Sequence, residues 1–174
     1  TLSLHDALPI LKFTFVLQPE PKGLANIFQV CEKELQGESF FLHLGDNIFE
    51  DSLAPFAKNF YEQNKGAKVL LKQVSDPHRF GVPEVVGNQI VSIEEKPKNP
   101  KSSFAVTGIY FYDDQVFEII KTLKPSGRGE LEITDVNNFY VRQGTMTHDT
   151  FQGHWTDAGT FESLNVANQL MSSK

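Results

Sequence analysis

The chain has 174 residues and a net charge of −6, with 40% hydrophobic and 22% charged residues. This is the composition of an ordinary globular domain with a sizeable core, and its acidic balance argues against a surface that binds nucleic acid or anionic membranes. One cysteine allows no internal disulfide, and we find neither a membrane-spanning run nor a signal peptide, so the sequence favours a reducing cytoplasm.

The first ten residues differ in character from the rest. Residues 1–10 (TLSLHDALPI) match one reading frame of a widely used sequencing-library adapter, and we interpret them as a translated cloning scar. We therefore expect the domain itself over residues 11–174.

Strand and helix patterns then alternate along the first half of the chain. An apolar run at residues 40–44, bounded by Gly45, predicts a fully buried strand at the centre of this series. The alternation predicts an α/β fold in which helices pack on a mostly parallel sheet. The elements predicted here are a strand at 12–17, a helix at 24–35, the strand at 40–44, a helix at 53–61 capped by Asp51 or Ser52, and a strand at 67–74.

The second half continues with strands and amphipathic helices. Turn residues Gly87 and Asn88 predict a hairpin, and a β-branched and aromatic run at 103–112 predicts a buried strand. The remaining predicted elements are helices at 116–123 and 130–143, a strand at 145–151, and a last helix that buries Phe161, Leu164, Ala167 and Met171.

Two aspartates follow predicted strands, about where an open α/β sheet binds its ligands. Asp46 comes directly after the strand at 40–44, and Asp157 lies between the last strand and the last helix. Two such carboxylates can converge on one crevice and hold a divalent cation against a phosphate. Gly-Asp-Asn is also a good tight turn and Asp157 a good helix N-cap, so these structural roles stay open.

Two further segments carry groups that suit a sugar nucleotide. Gln18, in a Pro- and Gly-rich loop, offers the amide donor and acceptor that can read a pyrimidine edge, although the loop also suits a plain connector. Glu95 can accept from sugar hydroxyls and Lys96 can neutralise a phosphate, provided that the backbone turns there, which Pro97 encourages. The alternative for this charged cluster is a solvated strand end.

Seven motifs, in this order, resemble those of glucose-1-phosphate thymidylyltransferases, a family of sugar-phosphate nucleotidylyltransferases. The similarity runs from about Leu11 to the end of the chain and is that of the short form of the family. The motifs are residues 18–25 (QPEPKGLA), 44–47 (LGDN), 76–82 (DPHRFGV), 94–97 (EEKP), 105–112 (AVTGIYFY), 129–135 (GELEITD) and 155–159 (WTDAG).

The resemblance implies a Rossmann-like three-layer α/β/α fold and a reaction of dTTP with glucose 1-phosphate that gives dTDP-glucose and pyrophosphate. It implies Mg²⁺ as the cofactor, with Asp46 and Asp157 as metal ligands and Lys96 as the residue that holds the sugar phosphate. The implied substrate-binding residues are Gln18, Pro21 and Gly23 for the base, Asn47 for the nucleoside, Gly81, Glu95 and Val106 for the sugar, and Trp155 beside the site.

One part of the family pattern has no match. The family begins with a strand and a Gly-rich loop that cradle the triphosphate, whereas the Gly-x-Gly here, at residues 127–129, follows a helix and a proline. We therefore expect an N-terminally truncated fragment with weak or no activity by itself. A UTP-dependent uridylyltransferase and a non-catalytic sugar-nucleotide-binding module remain alternatives, and a homo-oligomer is a further possibility.

Overall fold

The structure, a computed structural model, describes residues 12–172, so the interpretation of residues 1–10 as a scar lies outside the described residues. The strands are β1 Phe40–His43, β2 Asn47–Phe49, β3 Ala67–Gln73, β4 Gly81–Val86, β5 Gln89–Glu95, β6 Phe104–Tyr112, β7 Met146–Thr150 and β8 Trp155–Asp157. The α-helices are α1 Asn26–Leu35, α2 Ala54–Gln63, α3 Val116–Thr122, α4 Ile133–Gln143 and α5 Phe161–Ser172, and a short 3-10 helix spans Pro77–Arg79.

The main sheet has the strand order β1-β6-β3-β7. β6 runs antiparallel to both of its neighbours, whereas β3 and β7 are parallel. The α/β class is confirmed, but the expectation of a mostly parallel sheet is wrong for the described strands, because two of the three pairings are antiparallel. The physical reason is the connection between β3 and β6, which contains the short 3-10 helix and the β4–β5 hairpin but no crossover α-helix.

Helices cover both faces of the sheet. Along β6, Val106, Tyr110 and Tyr112 face a large apolar cluster formed with α1, α3 and α4, whereas Ile109 and Phe111 face a smaller one formed with α2. Residues 105–112 of β6 are all buried, so this strand is the centre of the core. The result is the three-layer arrangement expected from the resemblance. No helix within residues 12–172 is long and apolar enough to cross a membrane.

Two predictions in the N-terminal half are wrong. Residues 12–17 form no strand, and Phe15 and Leu17 are 94% and 83% exposed, since no described strand lies beside them to pair with their backbone. β1 is only half buried, with Phe41 52% exposed, because it is an edge strand of the described sheet. Of the two predicted caps of α2, Ser52 accepts from the Ala54 N–H at 3.3 Å, whereas Asp51 accepts from the Gly153 N–H instead.

The last helix also turns a different face to the core. Phe161 and Leu164 are 85% and 42% exposed, whereas Ser163 and Ala167 are buried; the side chain of Met171 lies outside the described residues. The orientation is set by reciprocal hydrogen bonds between Thr160 and Ser163, in which each backbone N–H donates to the other residue's hydroxyl oxygen. The helix cap is thus Thr160 and not Asp157.

Candidate functional site at the β2–β8 ribbon

A two-stranded ribbon of β2 and β8, absent from the sequence prediction, brings the two aspartates together. Asn47 pairs with Asp157 in the antiparallel register, and the backbone N–H of Ala158 donates to the carbonyl oxygen of Asp46 at 2.7 Å. Both Asp46 and Asp157 line one cavity of about 430 Å³. The predicted turn at Asp46 is present as well, because the N–H of Asn47 donates to the Leu44 carbonyl at 3.0 Å.

The groups around Asp157 carry charges of both signs. Burial raises the pKa of Asp157 above its ordinary value, the Arg79 guanidinium opposes that rise, and the nearby Asp46 and Asp76 carboxylates add to it. The residues from 12 to 172 contain no cluster of three or more His, Cys, Asp or Glu side chains that could hold a metal by themselves. A pair of carboxylates fits Mg²⁺, which keeps waters and substrate phosphates as its other ligands.

Asn47 is the residue that joins the parts of this site. It is 4% exposed, and its Nδ2 donates to Asp46 Oδ1 at 2.8 Å. Its Oδ1 accepts from the Gly108 backbone N–H and from the Trp155 indole N–H, both at 2.8 Å. A Cβ at position 108 would collide with the Asn47 side chain, which explains the glycine in the middle of β6. Asn47 therefore positions Asp46, and its nucleoside contact stays a prediction.

The residues predicted to hold the sugar and its phosphate line the same cavity. Gly81 pairs with Glu95 in the β4–β5 hairpin, and the Thr134 hydroxyl donates to Glu95 Oε2 at 2.7 Å. Lys96 has φ = 45°, and its N–H donates to the Phe80 carbonyl at 3.0 Å, so the backbone turn predicted at this point is confirmed. A left-handed lysine costs free energy, and such strain is concentrated at functional sites.

Val106 and Trp155 complete the wall of this cavity. Val106 is buried in β6, and the indole of Trp155 packs edge-on against the Phe80 ring, with a centroid separation of 5.3 Å. Trp155 is thus fixed by an aromatic contact and by its hydrogen bond to Asn47.

The predicted base-side residues do not line this cavity. Gln18 Nε2 donates to Asn26 Oδ1 at the start of α1, at 3.1 Å, and to the Gly23 carbonyl at 3.4 Å, so its amide donor is already used. Pro21 is exposed. Gly23 has φ = 94°, and a Cβ there would lie 2.6 Å from the Leu131 carbonyl oxygen, so the close docking of the loop requires glycine.

Sequence reasoning assigned no role to several residues of the cavity wall. Arg79 contacts Asp157, and Arg128 pairs with Glu132 at 2.9 Å. Tyr110 faces the same cavity, and burial raises the pKa of its hydroxyl well above the ordinary value. Arg79 and Tyr110 lie inside motifs of the resemblance, but only the tertiary structure shows what their side chains contact.

The fold and the cavity at the strand ends are those of a Rossmann-like α/β domain, a class that binds its ligands at this edge of the sheet. The chain belongs to the nucleotidyl transferase family, whose model matches residues 4–174. It is 45% identical over 167 residues to a glucose-1-phosphate thymidylyltransferase of Neisseria meningitidis serogroup A, covering 94% of this chain and 58% of that protein. The chain therefore spans little more than half the length of this relative.

Solved structures show the same likeness. A crystal structure from Bacillus anthracis, assigned as a glucose-1-phosphate thymidylyltransferase in complex with a sucrose, superposes with a TM-score of 0.87 at 51% identity and covers 92% of this chain and 65% of that one. A UDP-glucose pyrophosphorylase complexed with UDP-glucose has a TM-score of 0.82 at 23% identity, with 93% and 67% coverage, and this likeness is one of fold alone.

Proposed function

We propose that this chain forms the sugar and metal side of a glucose-1-phosphate thymidylyltransferase, an enzyme that joins dTTP and glucose 1-phosphate to give dTDP-glucose and pyrophosphate. The observation that carries the proposal is one cavity lined by Asp46, Asp157, Glu95 and Lys96, which come from separate parts of the chain. The names of the relatives at 34–45% identity support the same substrates. We further propose the cytoplasm as the compartment, from the single cysteine.

The chain's own residues supply positioning and charge in this reaction. Lys96 lies in the cavity beside Glu95, with Nζ 3.9 Å from Glu95 Oε1, where it can neutralise the sugar phosphate. Glu95 is held by Thr134 and can accept from the sugar hydroxyls, while the backbone of Gly81 lies opposite. Mg²⁺, which Asp46 and Asp157 would hold, supplies a positive charge for the nucleotide phosphates.

No side chain of the site has to act as a nucleophile. The oxygen of the sugar phosphate attacks the α-phosphorus directly and pyrophosphate leaves, so the protein contributes orientation and charge neutralisation. The hydrogen bonds that fix Asp46 through Asn47, and Glu95 through Thr134, are the means by which this chain provides that orientation.

Recognition of the base rests on the loop with Gln18, Pro21 and Gly23. Gln18 has to turn its amide from Asn26 towards a pyrimidine if it reads the base. Thymine and uracil share the pairing edge that an amide can read, so UTP remains the alternative nucleotide.

Pyrophosphate release tests the proposal. The assay uses dTTP or UTP with glucose 1-phosphate and Mg²⁺, on the 174-residue chain and on the protein expressed with the coding sequence upstream of Leu11. We expect release with dTTP above that with UTP from the longer protein, and little from the 174-residue chain. A higher rate with UTP would make it a uridylyltransferase. No release from either form with either nucleotide would favour a non-catalytic sugar-nucleotide-binding module.

A further inference from the structure

Arg79 links two carboxylates from different parts of the site. Its Nη1 donates to Asp76 Oδ2 at 2.9 Å and its Nη2 donates to Asp157 Oδ2 at 3.3 Å. The guanidinium also lies 5.1 Å from the centroid of the Phe80 ring, which packs on Trp155. Arg79 is therefore held on several sides, and it leaves Asp157 Oδ1 without a guanidinium contact.

The position of Arg79 matters because it contacts a candidate metal ligand. Arg79 and Asp157 both line the cavity with Asp46, and both also line a second cavity of about 440 Å³ that contains Asp76. Two carboxylates, those of Asp76 and Asp157, thus accept hydrogen bonds from one guanidinium, and Asp46 lines the same cavity. A divalent cation on Asp157 has to share that carboxylate with Arg79, which brings like charges together in a partly buried place.

We infer that Arg79 is an internal counter-cation that stabilises this carboxylate group without a metal and weakens the binding of a free divalent ion. Phosphate groups that arrive with the metal neutralise the excess positive charge, so the metal enters the site together with the nucleotide. The inference rests on the proposed function, because it takes Asp46 and Asp157 as the metal ligands.

The sign of one measurement separates this role from a purely structural one. If Arg79 only holds Asp157 in the right orientation, its removal disorders a ligand and weakens metal binding. If the charge of Arg79 opposes the metal, its removal strengthens metal binding in the absence of nucleotide. A lysine at position 79 keeps the charge and loses the two-headed hydrogen bond, so it separates charge from geometry.

The experiment measures Mn²⁺ binding to the 174-residue chain without nucleotide or sugar. Trp155 is the single tryptophan and lies two residues from Asp157, so its quenching by paramagnetic Mn²⁺ reports binding at this place, and the electron paramagnetic resonance signal of free Mn²⁺ gives an independent Kd. We expect Arg79→Gln to lower the Kd about five- to twentyfold, by the Coulomb energy of one removed charge. Arg79→Lys stays close to the unsubstituted chain.

A matched control removes a positive charge elsewhere. Lys58 on α2 is 76% exposed and outside both cavities, so Lys58→Gln changes the net charge equally and leaves the Kd unchanged. Far-UV circular dichroism checks the fold of each variant. If Arg79→Gln does not fold, Asp76→Asn replaces it as the test. This substitution removes the negative charge of Asp76, so Asp157 becomes the one charged partner of Arg79 in these two ion pairs. We then expect a several-fold higher Kd for Mn²⁺.

Each outcome decides the matter. An unchanged or higher Kd for Arg79→Gln overturns the inference. An equal fall of the Kd in Arg79→Lys and Arg79→Gln overturns it as well, because lysine keeps the charge. Neither result affects the proposed function. If Asp76→Asn is the variant used, an unchanged Kd overturns the inference. Absence of Mn²⁺ binding at millimolar concentrations in every variant also overturns the inference, whereas the proposed function is decided separately by the release of pyrophosphate.

Discussion

The two sides of this molecule differ in how their polar groups are used. On the sugar and metal side, residues far apart in sequence hold one another, as Asn47 does with Gly108 and Trp155. On the side proposed to bind the base, Gln18 donates to Gly23 and Asn26 close by in sequence, and the preceding segment exposes Phe15 and Leu17. The side proposed to hold sugar and metal is thus preorganised, whereas the Gln18 loop has to rearrange before it can bind a pyrimidine as proposed.

The largest expected effect comes from the metal side. Asp46→Asn in the protein with its upstream segment should lower Mg²⁺-dependent turnover by about a hundredfold or more, since a bound metal contributes several kcal/mol to the transition state. The fold should persist because an asparagine oxygen can still accept from Asn47 Nδ2. Pyrophosphate release measures this effect, and Asp114→Asn, at an exposed aspartate, is the control. Turnover equal to that of the control would refute the metal role.

Substitution of Lys96 tests the proposed binding of the sugar phosphate. Lys96→Gln should lower kcat/KM for glucose 1-phosphate about ten- to a hundredfold, because a charge-assisted bond to phosphate is lost. The side chain of Lys96 is 54% exposed, so stability should change little. Lys98→Gln removes an exposed positive charge two residues away and should leave kcat/KM unchanged. An equal loss in both variants would mean a general charge effect.

Asn47 tests whether preorganisation also stabilises the fold. Asn47→Ala leaves the Gly108 and Trp155 N–H groups without their acceptor, and we expect a loss of about 3 kcal/mol in the free energy of unfolding. Urea denaturation followed by circular dichroism measures it. Asn99→Ala, in an exposed loop, provides the reference. A loss no larger than that of the reference would show that these buried bonds contribute little.

The base side should respond more weakly. Gln18→Ala should cost less than about 1 kcal/mol of stability, since it removes hydrogen bonds in a partly exposed loop. In the longer protein it should raise KM for dTTP and leave KM for glucose 1-phosphate unchanged. Gln18→Glu keeps the acceptor and loses the donor, so it reveals which group reads the base. A rise in KM for the sugar alone would contradict the assignment of this loop.

The smallest expected effect concerns His148, which lies outside both regions. Its two ring nitrogens are buried and have no hydrogen-bond partner among residues 12–172, and burial lowers its pKa below the ordinary value of 6.5. The unfolded chain therefore binds this proton more readily, so the stabilisation is complete above pH 6.5 and falls as the pH drops towards the folded pKa. Between pH 7 and pH 5 the urea concentration at the unfolding midpoint should fall less in His148→Leu than in the unsubstituted chain. His78→Asn, at the surface, should show the same fall as the unsubstituted chain.

Periodicity was enough to predict much of the fold. The β4–β5 hairpin, β6 and the helices α1 to α4 follow from alternating or helical spacing and from turn residues. β2 and β8 escaped prediction because strands of three residues have no detectable period, and only their pairing reveals them. A strand pattern at residues 12–17 was misleading because a strand also needs a neighbour, which no sequence pattern supplies.

The candidate site shows the same limit. Asp46, Asp157, Glu95 and Lys96 could be found as charged residues at strand ends, and all four line one cavity. The contacts of Arg79 could not be found in this way, because they join residues that lie far apart in the chain. The local sequence pattern thus indicates candidate functional residues, whereas the tertiary structure is needed to show which side chains contact them.

The pairing of β2 with β8 has a consequence for folding order. Asn47 and Trp155 are separated by 108 positions, whereas the hairpin between β4 and β5 closes over a two-residue turn. Contacts of such long sequence separation form slowly, because a large loop has to close first. During synthesis on the ribosome the hairpin can form early, but the carboxylate pair cannot assemble until Asp157 has left the exit tunnel.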